Sequence, residues 1–207
     1  MQTKSRRERE KENMRSAILE TAIKIIATEG YEQLSMRKIA DAIEYSPTTI
    51  YLYYKDKAQI IDDILQEVYK KIISNITTAL QENKNAPIDK QVQLSFKAFI
   101  NTMAQNAEMS RAVIRSGTKA IFDSSSSSAS PEESGINMLH NLLLEGQRQG
   151  VLRPLDHNAS WMLVSALIGF SINAIENRLY KNANWDILAD SYIDILLNGI
   201  KHEGDMN

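Results

Sequence analysis

Residues 46–57 read Ser-Pro-Thr-Thr-Ile-Tyr-Leu-Tyr-Tyr-Lys-Asp-Lys, and the first two residues fix where a helix starts. A serine hydroxyl at Ser46 can accept an orphan amide of the first turn. Pro47 suits the first helical position, where no amide is needed and φ is already set. A second short helix, Ser35 to Ile43, precedes this one by only a few residues. Two short helices on a tight turn make a helix-turn-helix, whose second helix enters the major groove of DNA. The chain therefore reads as a sequence-specific DNA-binding protein.

The rest of the chain also carries helical periodicity. Asn13 to Glu29 has Met14, Ile18, Ala22, Ile25 and Ile26 on one face, and Gly30 stops it. Pro47 to Tyr54 is the second helix of the motif. A long helix follows over Lys57 to Glu82, with an apolar stripe from Ile60 to Ile76. Further helices are expected at 88–106, 109–122, 131–149, 156–181 and 185–201. Ser130, Pro131 and Glu133 form a capping-box start for the third of these five, and Ser124 to Ser128 is a low-complexity serine run read as a flexible loop. No stretch alternates as a strand would. The expected fold is all-α: an N-terminal three-helix helix-turn-helix domain with a basic arm over 1–56, then a larger helical ligand-binding and dimerisation domain over 57–207.

Composition narrows the function classes. A hydrophobic content of 43% supports a real core, and the absence of cysteine excludes disulfides and thiolate metal sites. The charged N-terminus has no apolar run after it, unlike a signal peptide. The longest apolar stretch, Trp161 to Ile175, is short of the roughly 20 residues of a membrane span. A cytoplasmic protein that makes no membrane contact is expected. The net charge is −2, yet residues 1–57 hold 11 Lys and Arg against 9 Asp and Glu, whereas the remainder holds 13 against 17. That asymmetry is small, so local placement must supply any attraction to phosphate. The three histidines, His140, His157 and His202, are far apart, and there is no His-Glu-x-x-His, Gly-rich phosphate loop or Gly-x-Ser-x-Gly. No enzyme, cofactor or metal site is expected, and His140 reads as a half-buried helical residue.

Within the motif, Ile39, Ile43, Tyr45 and Ile50 are expected to form the small core, with Tyr54 buried as well. Thr48, Thr49, Tyr51 and Tyr53 should face outward, where hydroxyls reach phosphates or base edges and a threonine methyl can meet thymine. Arg37 could reach a guanine or a phosphate. Asp56 and Lys57 open the long helix, and its free amides with the lysine suit a DNA phosphate. The DNA-binding candidates are thus Arg37, Ser46, Thr48, Thr49, Tyr51, Tyr53 and Lys57. The arm from Lys4 to Lys11 could add phosphate or minor-groove contacts. Its interleaved Glu8, Glu10 and Glu12 fit a solvated helix extension equally well.

These residues carry a family resemblance. Ile18 to Ala27, Gly30-Tyr31, Ser35-Met36-Arg37-Lys38-Ile39-Ala40 and Ser46 through Lys57 with Ile60 and Ile61 resemble the N-terminal domain of the TetR family of bacterial transcription regulators. The resemblance covers about a quarter of the chain by motif. It implies that Arg37, Thr48, Thr49, Tyr51, Tyr53 and Lys57 sit where family members touch DNA. One departure stands out: Glu44 occupies the turn position where the family usually has glycine. A left-handed backbone there costs a non-glycine roughly 1–2 kcal/mol, and the turn could instead relax to another conformation.

The resemblance also implies a ligand-responsive homodimer on a palindromic operator, a repressor by family tendency. The segments 156–181 and 185–201 are assigned to the dimer by analogy, and Trp161 to Ile175 is apolar nearly all round, as a helix buried on several sides should be. Candidate linings for a pocket are Phe99, Met103, Ile114, Phe122, Met138, Leu142, Trp161 and Phe170, with Asn173 as a polar contact. Their chemistry suits a small, largely apolar effector. The alternatives are an activator, or a helical interaction module that has lost DNA binding with Glu44 as its symptom.

Overall fold

The computed structural model describes residues 5–115 and 135–202. Lys4 of the arm, Phe122, the serine run and the Ser130–Glu133 cap lie outside the described residues. Nine α-helices occur among the described residues: α1 (Arg6–Glu29), α2 (Met36–Ala42), α3 (Pro47–Tyr51), α4 (Lys57–Glu82), α5 (Ile88–Gln105), α6 (Ala107–Arg115), α7 (Gly135–Arg148), α8 (Ala159–Glu176) and α9 (Trp185–Asn198). The fold is all-α, and the one β-like pairing among the described residues is an isolated bridge between Leu152 and Lys201. The chain divides into two compact units, Met1–Val68 with Glu108–Ile121, and Tyr69–Ala107 with Phe122–Asn207.

In the first unit, α1 starts well before the apolar stripe. Ser5 caps it by accepting from the Glu8 amide, and the Glu8 carboxylate accepts from the Ser5 amide at 2.7 Å. This capping box satisfies two orphan donors at once and turns the basic arm from Arg6 onward into a helical extension. Residues 5–13 are all exposed. Gly30 ends α1 at φ 95, a backbone conformation that costs glycine little. Ile18, Ala22 and Ile26 of α1, Leu34, Ile39, Ile50, Tyr54, Ile60 and Ile64 form one buried cluster with Ala112 and Val113 of α6. The helix-turn-helix is thus seated on a continuous apolar core.

The second unit is built round α5, which packs against α7, α8 and α9. Val92, Phe96 and Ile100 of α5 meet Leu139 and Leu143 of α7, Leu163 and Leu167 of α8, and Ala189 and Ile193 of α9. Leu152 comes back over α7 at Gly146, where a Cβ would stand 2.5 Å from the Leu152 side chain, so only glycine admits that approach. Lys97 of α5 pairs with Asp190 of α9 at 2.7 Å, and Lys201 with Asp89 at 2.9 Å. The Tyr192 hydroxyl donates to the Ala166 carbonyl at 2.6 Å, and its ring stacks on Phe170 at 4.1 Å. The apolar helix α8 has a mean hydropathy of 1.4, but only 39% of that window is buried within the chain.

Candidate DNA-binding site

The motif is built from two caps and one strained residue between them. Ser35 caps α2 by accepting from the Lys38 amide at 3.2 Å. Met36, Ile39 and Ala40 turn α2 inward. The helix then ends in a paired closure: the Tyr45 amide donates to the Ala40 carbonyl at 2.9 Å, and the Glu44 amide toward the Asp41 carbonyl at 3.4 Å. These are the two bonds of a Schellman motif, which requires a left-handed residue at the position Glu44 fills. Glu44 adopts φ 60. The turn has therefore kept the left-handed geometry despite lacking glycine, and its backbone hydrogen bonds offset the strain.

One residue later, Ser46 caps α3. Its hydroxyl accepts from the Thr49 amide at 3.1 Å and lies 2.9 Å from the Thr49 hydroxyl. Pro47 follows at the head of the helix. Ile50, fully buried, anchors α3 to the core from one side. The opposite side is open: Thr48 is exposed, and Tyr51 and Leu52 are 57% and 76% exposed. Leu52 continues the helical backbone as the α3 cap.

The structure sorts the sequence candidates. Arg37, Ser46, Thr48 and Tyr51 are exposed on or beside α2 and α3. Thr49 is half-buried with its hydroxyl engaged by Ser46, and Tyr53 is half-buried against the core cluster. Lys57 places its ammonium 4.2 Å from the Tyr31 ring centroid, a cation–π contact that holds it at the head of α4. The amides there are not all free: Asp56 accepts from the Gln59 amide at 2.9 Å. Tyr45 corrects the expected core. It is 50% exposed, because the closure of α2 carries it outward while Tyr54, at 1%, takes the interior place. Leu52 went unnoticed in the sequence, although it stands four residues after Thr48 and thus on the same helix face.

Tyr54 is tied in place by charge. Its hydroxyl donates to Asp63 at 3.0 Å, and the same carboxylate oxygen accepts from Arg15 at 2.5 Å. The Arg15 guanidinium also lies 4.6 Å over the Tyr54 ring. Burial, then the Asp63 carboxylate, push the Tyr54 phenol well above its ordinary range. The Asp63 hydrogen bond chiefly raises the Arg15 guanidinium. This triangle joins α1, the end of the motif and α4.

The expected pocket residues are scattered. Met103 is buried, and Phe99, Leu142 and Phe170 pack around the second core. Met138 borders an open depression of about 420 Å³ with Thr77, Leu80, Gln81 and Lys84. Ile114 belongs to the first unit, and the other described candidates belong to the second. Trp161 is 54% exposed and Asn173 is exposed, so neither is enclosed within the single chain. His140 is half-buried, with Nδ1 3.3 Å from the Ser160 hydroxyl.

An all-helical chain that presents a capped second helix from a helix-turn-helix has the architecture of a DNA-binding transcription regulator. The model of the bacterial regulatory proteins of the tetR family matches residues 18–64, the stretch that holds the whole motif. Over that stretch the chain is similar to the N-terminal domain of TetR-family regulators. It is 21% identical over 189 residues to a fatty acid metabolism regulator protein of Bacillus subtilis, covering 90% of this chain and 95% of that protein. The solved fatty acid degradation regulator of Bacillus halodurans is 20% identical with a TM-score of 0.72, covering 95% of this chain and 97% of that one. A TetR-family regulator of Marinobacter aquaeolei, 18% identical, has a TM-score of 0.68 over 95% of this chain and 100% of that one.

Proposed function

We propose that the chain is a ligand-responsive repressor that binds a palindromic operator as a homodimer in the cytoplasm. The observation that carries this reading is the seating of α3. Ile50 is fully buried on one side while Thr48 and Tyr51 stand open on the other. Such a helix is rigid where it must be held and polar where base edges lie. Residues 1–56 serve as the reading head and 57–207 as the ligand-binding and dimerisation domain. Arg37, Ser46, Thr48, Thr49, Tyr51, Tyr53 and Lys57 are the proposed DNA contacts.

A single motif contacts few base pairs, and two copies about one helical turn apart, roughly 34–36 Å, read a palindrome. The proposed dimer face is formed by α8 and α9, where Trp161, Met162, Ile187, Leu188 and Ile195 are 40–67% or, for Ile195, 70% exposed. Apolar exposure of that extent on adjoining helices favours burial against a second copy.

The proposed effector is small and largely apolar. Similarity to a regulator of fatty acid metabolism and to one of fatty acid degradation favours a fatty-acid-derived molecule. Effector would stabilise a dimer whose α3 helices no longer fit successive grooves, through different affinity for two states.

Selection of random duplex DNA by the full chain at about 100 mM salt tests the reading, since phosphate-driven affinity is steeply salt-dependent. Enrichment of an inverted repeat supports it, and no enrichment rejects it. Addition of palmitoyl-coenzyme A or free palmitate should then release the enriched duplex. Saturation by either without loss of DNA affinity would reject the release mechanism.

A further inference from the structure

Leu52 is the most exposed large hydrophobic residue among those described, at 76%. A lone exposed leucine is ordinary, but this one is not alone. Among the described residues of the first unit, the large exposed hydrophobics are Tyr45, Tyr51 and Leu52, all within eight positions of the motif. The others lie in the second unit, on α7, α8 and α9.

The position of Leu52 on the helix is equally specific. It caps α3 with helical backbone at φ −71 and ψ −19. Residues four apart share a helix face, so Leu52 lies one turn beyond exposed Thr48. Ile50, two residues before, is buried on the far side. The centre of the open face of α3 therefore carries a threonine followed by a leucine. A leucine accepts no hydrogen bond and attracts no phosphate. In the major groove, the apolar group on a base edge is the thymine C5-methyl.

We infer that Leu52 is a specificity-determining residue that contacts a thymine methyl in each half-site. The inference rests on the operator-binding reading above and adds the base chemistry that one position of the site selects. Removing one buried methyl costs about fourfold in affinity, so loss of a symmetric pair costs about fifteenfold.

The test uses the full chain and a duplex enriched by it, with binding followed by fluorescence anisotropy. Each thymine of one half-site and its symmetry mate are replaced together by deoxyuridine, which removes only the methyls. One symmetric pair should weaken wild-type binding about fifteenfold. The same replacement should change binding of Leu52→Ala less than twofold, and Leu52→Met should keep the methyl dependence. Both variants should melt as wild type does, because the side chain is exposed. Absence of any methyl-dependent pair, or a methyl cost that persists in Leu52→Ala, would overturn the role of Leu52 while leaving operator binding intact. Failure to enrich any duplex would overturn the operator reading and this inference with it.

Discussion

The Tyr54 hydroxyl donates to the Asp63 carboxylate at 3.0 Å, and this bond links the end of the helix-turn-helix to the second turn of α4. Tyr54 is 1% exposed, so the hydroxyl has no water to replace a lost partner. The arrangement fixes the far end of α3 from inside, leaving Tyr51 and Leu52 outside. The same carboxylate oxygen also receives Arg15 of α1 at 2.5 Å. A single anion thus ties α1 and α4 to the segment that follows α3.

Tyr54→Phe removes a donor and leaves Asp63 with Arg15. It should cost about 0.5–1.5 kcal/mol, the net worth of a typical hydrogen bond. Asp63→Ala should cost more, about 1–3 kcal/mol, because it strands the buried phenol. Urea denaturation midpoints at unchanged slope measure both. Equal costs for the two variants would show that the phenol is not held by Asp63. The raised Tyr54 pKa sets the pH dependence. Its stabilisation is complete below the unfolded value near 10 and is lost as pH climbs toward the folded value. Tyr54→Phe should therefore be relatively less sensitive to alkaline pH than wild type.

Glu44→Gly should raise stability by about 1 kcal/mol. The residue sits at φ 60, and glycine meets no Cβ penalty there. Glu44→Ala keeps a Cβ and should give no such gain. Thermal melting of the pair separates relief of backbone strain from loss of a surface charge. Equal melting temperatures for the two variants would argue against strain.

Asp89 accepts from Lys201 at 2.9 Å, which holds its carboxyl below the usual carboxylate range against the opposing effect of burial. A depressed folded-state pKa contributes stability above the unfolded value, and that stability disappears as pH falls through the folded value. The pair is partly exposed, so the contribution should stay within about 1 kcal/mol. Asp89→Asn should lower the melting temperature at pH 7 and have little effect at pH 2. A penalty independent of pH would mean that the side chain acts by packing alone.

Much of the fold was legible because the helix signals are local. Ser46-Pro47 marks the start of α3, and α4 runs over Lys57–Glu82 as its stripe requires. Residues that depend on turn geometry were less legible. Tyr45 is apolar enough to suggest a core position, but the closure of α2 carries it to the surface. The second helix ends at Tyr51 rather than Tyr54, because the chain leaves the helix to bury Tyr54 beside Asp63. The Arg15–Asp63 pair spans 48 residues, and no spacing rule announces it. The N-terminal arm is helical from Arg6, started by the Ser5–Glu8 capping box.

The proposed dimer face makes a separate prediction. Ile195 is 70% exposed in the single chain. Ile195→Asp should yield monomers by sedimentation equilibrium at micromolar concentration, with helix content by circular dichroism unchanged. Binding to the enriched duplex should weaken at least a hundredfold, because two half-sites would no longer be linked. A variant that remains dimeric would move the interface away from α9.

The most direct measurement is the affinity of wild type and Tyr51→Ala for the enriched duplex and for a scrambled duplex of the same length. Tyr51 is 57% exposed on α3, so its truncation should leave the melting temperature unchanged. The account predicts selective binding by wild type and loss of that selectivity in Tyr51→Ala. Equal affinity of the two proteins for the enriched duplex, or no preference of wild type over the scrambled one, would contradict it.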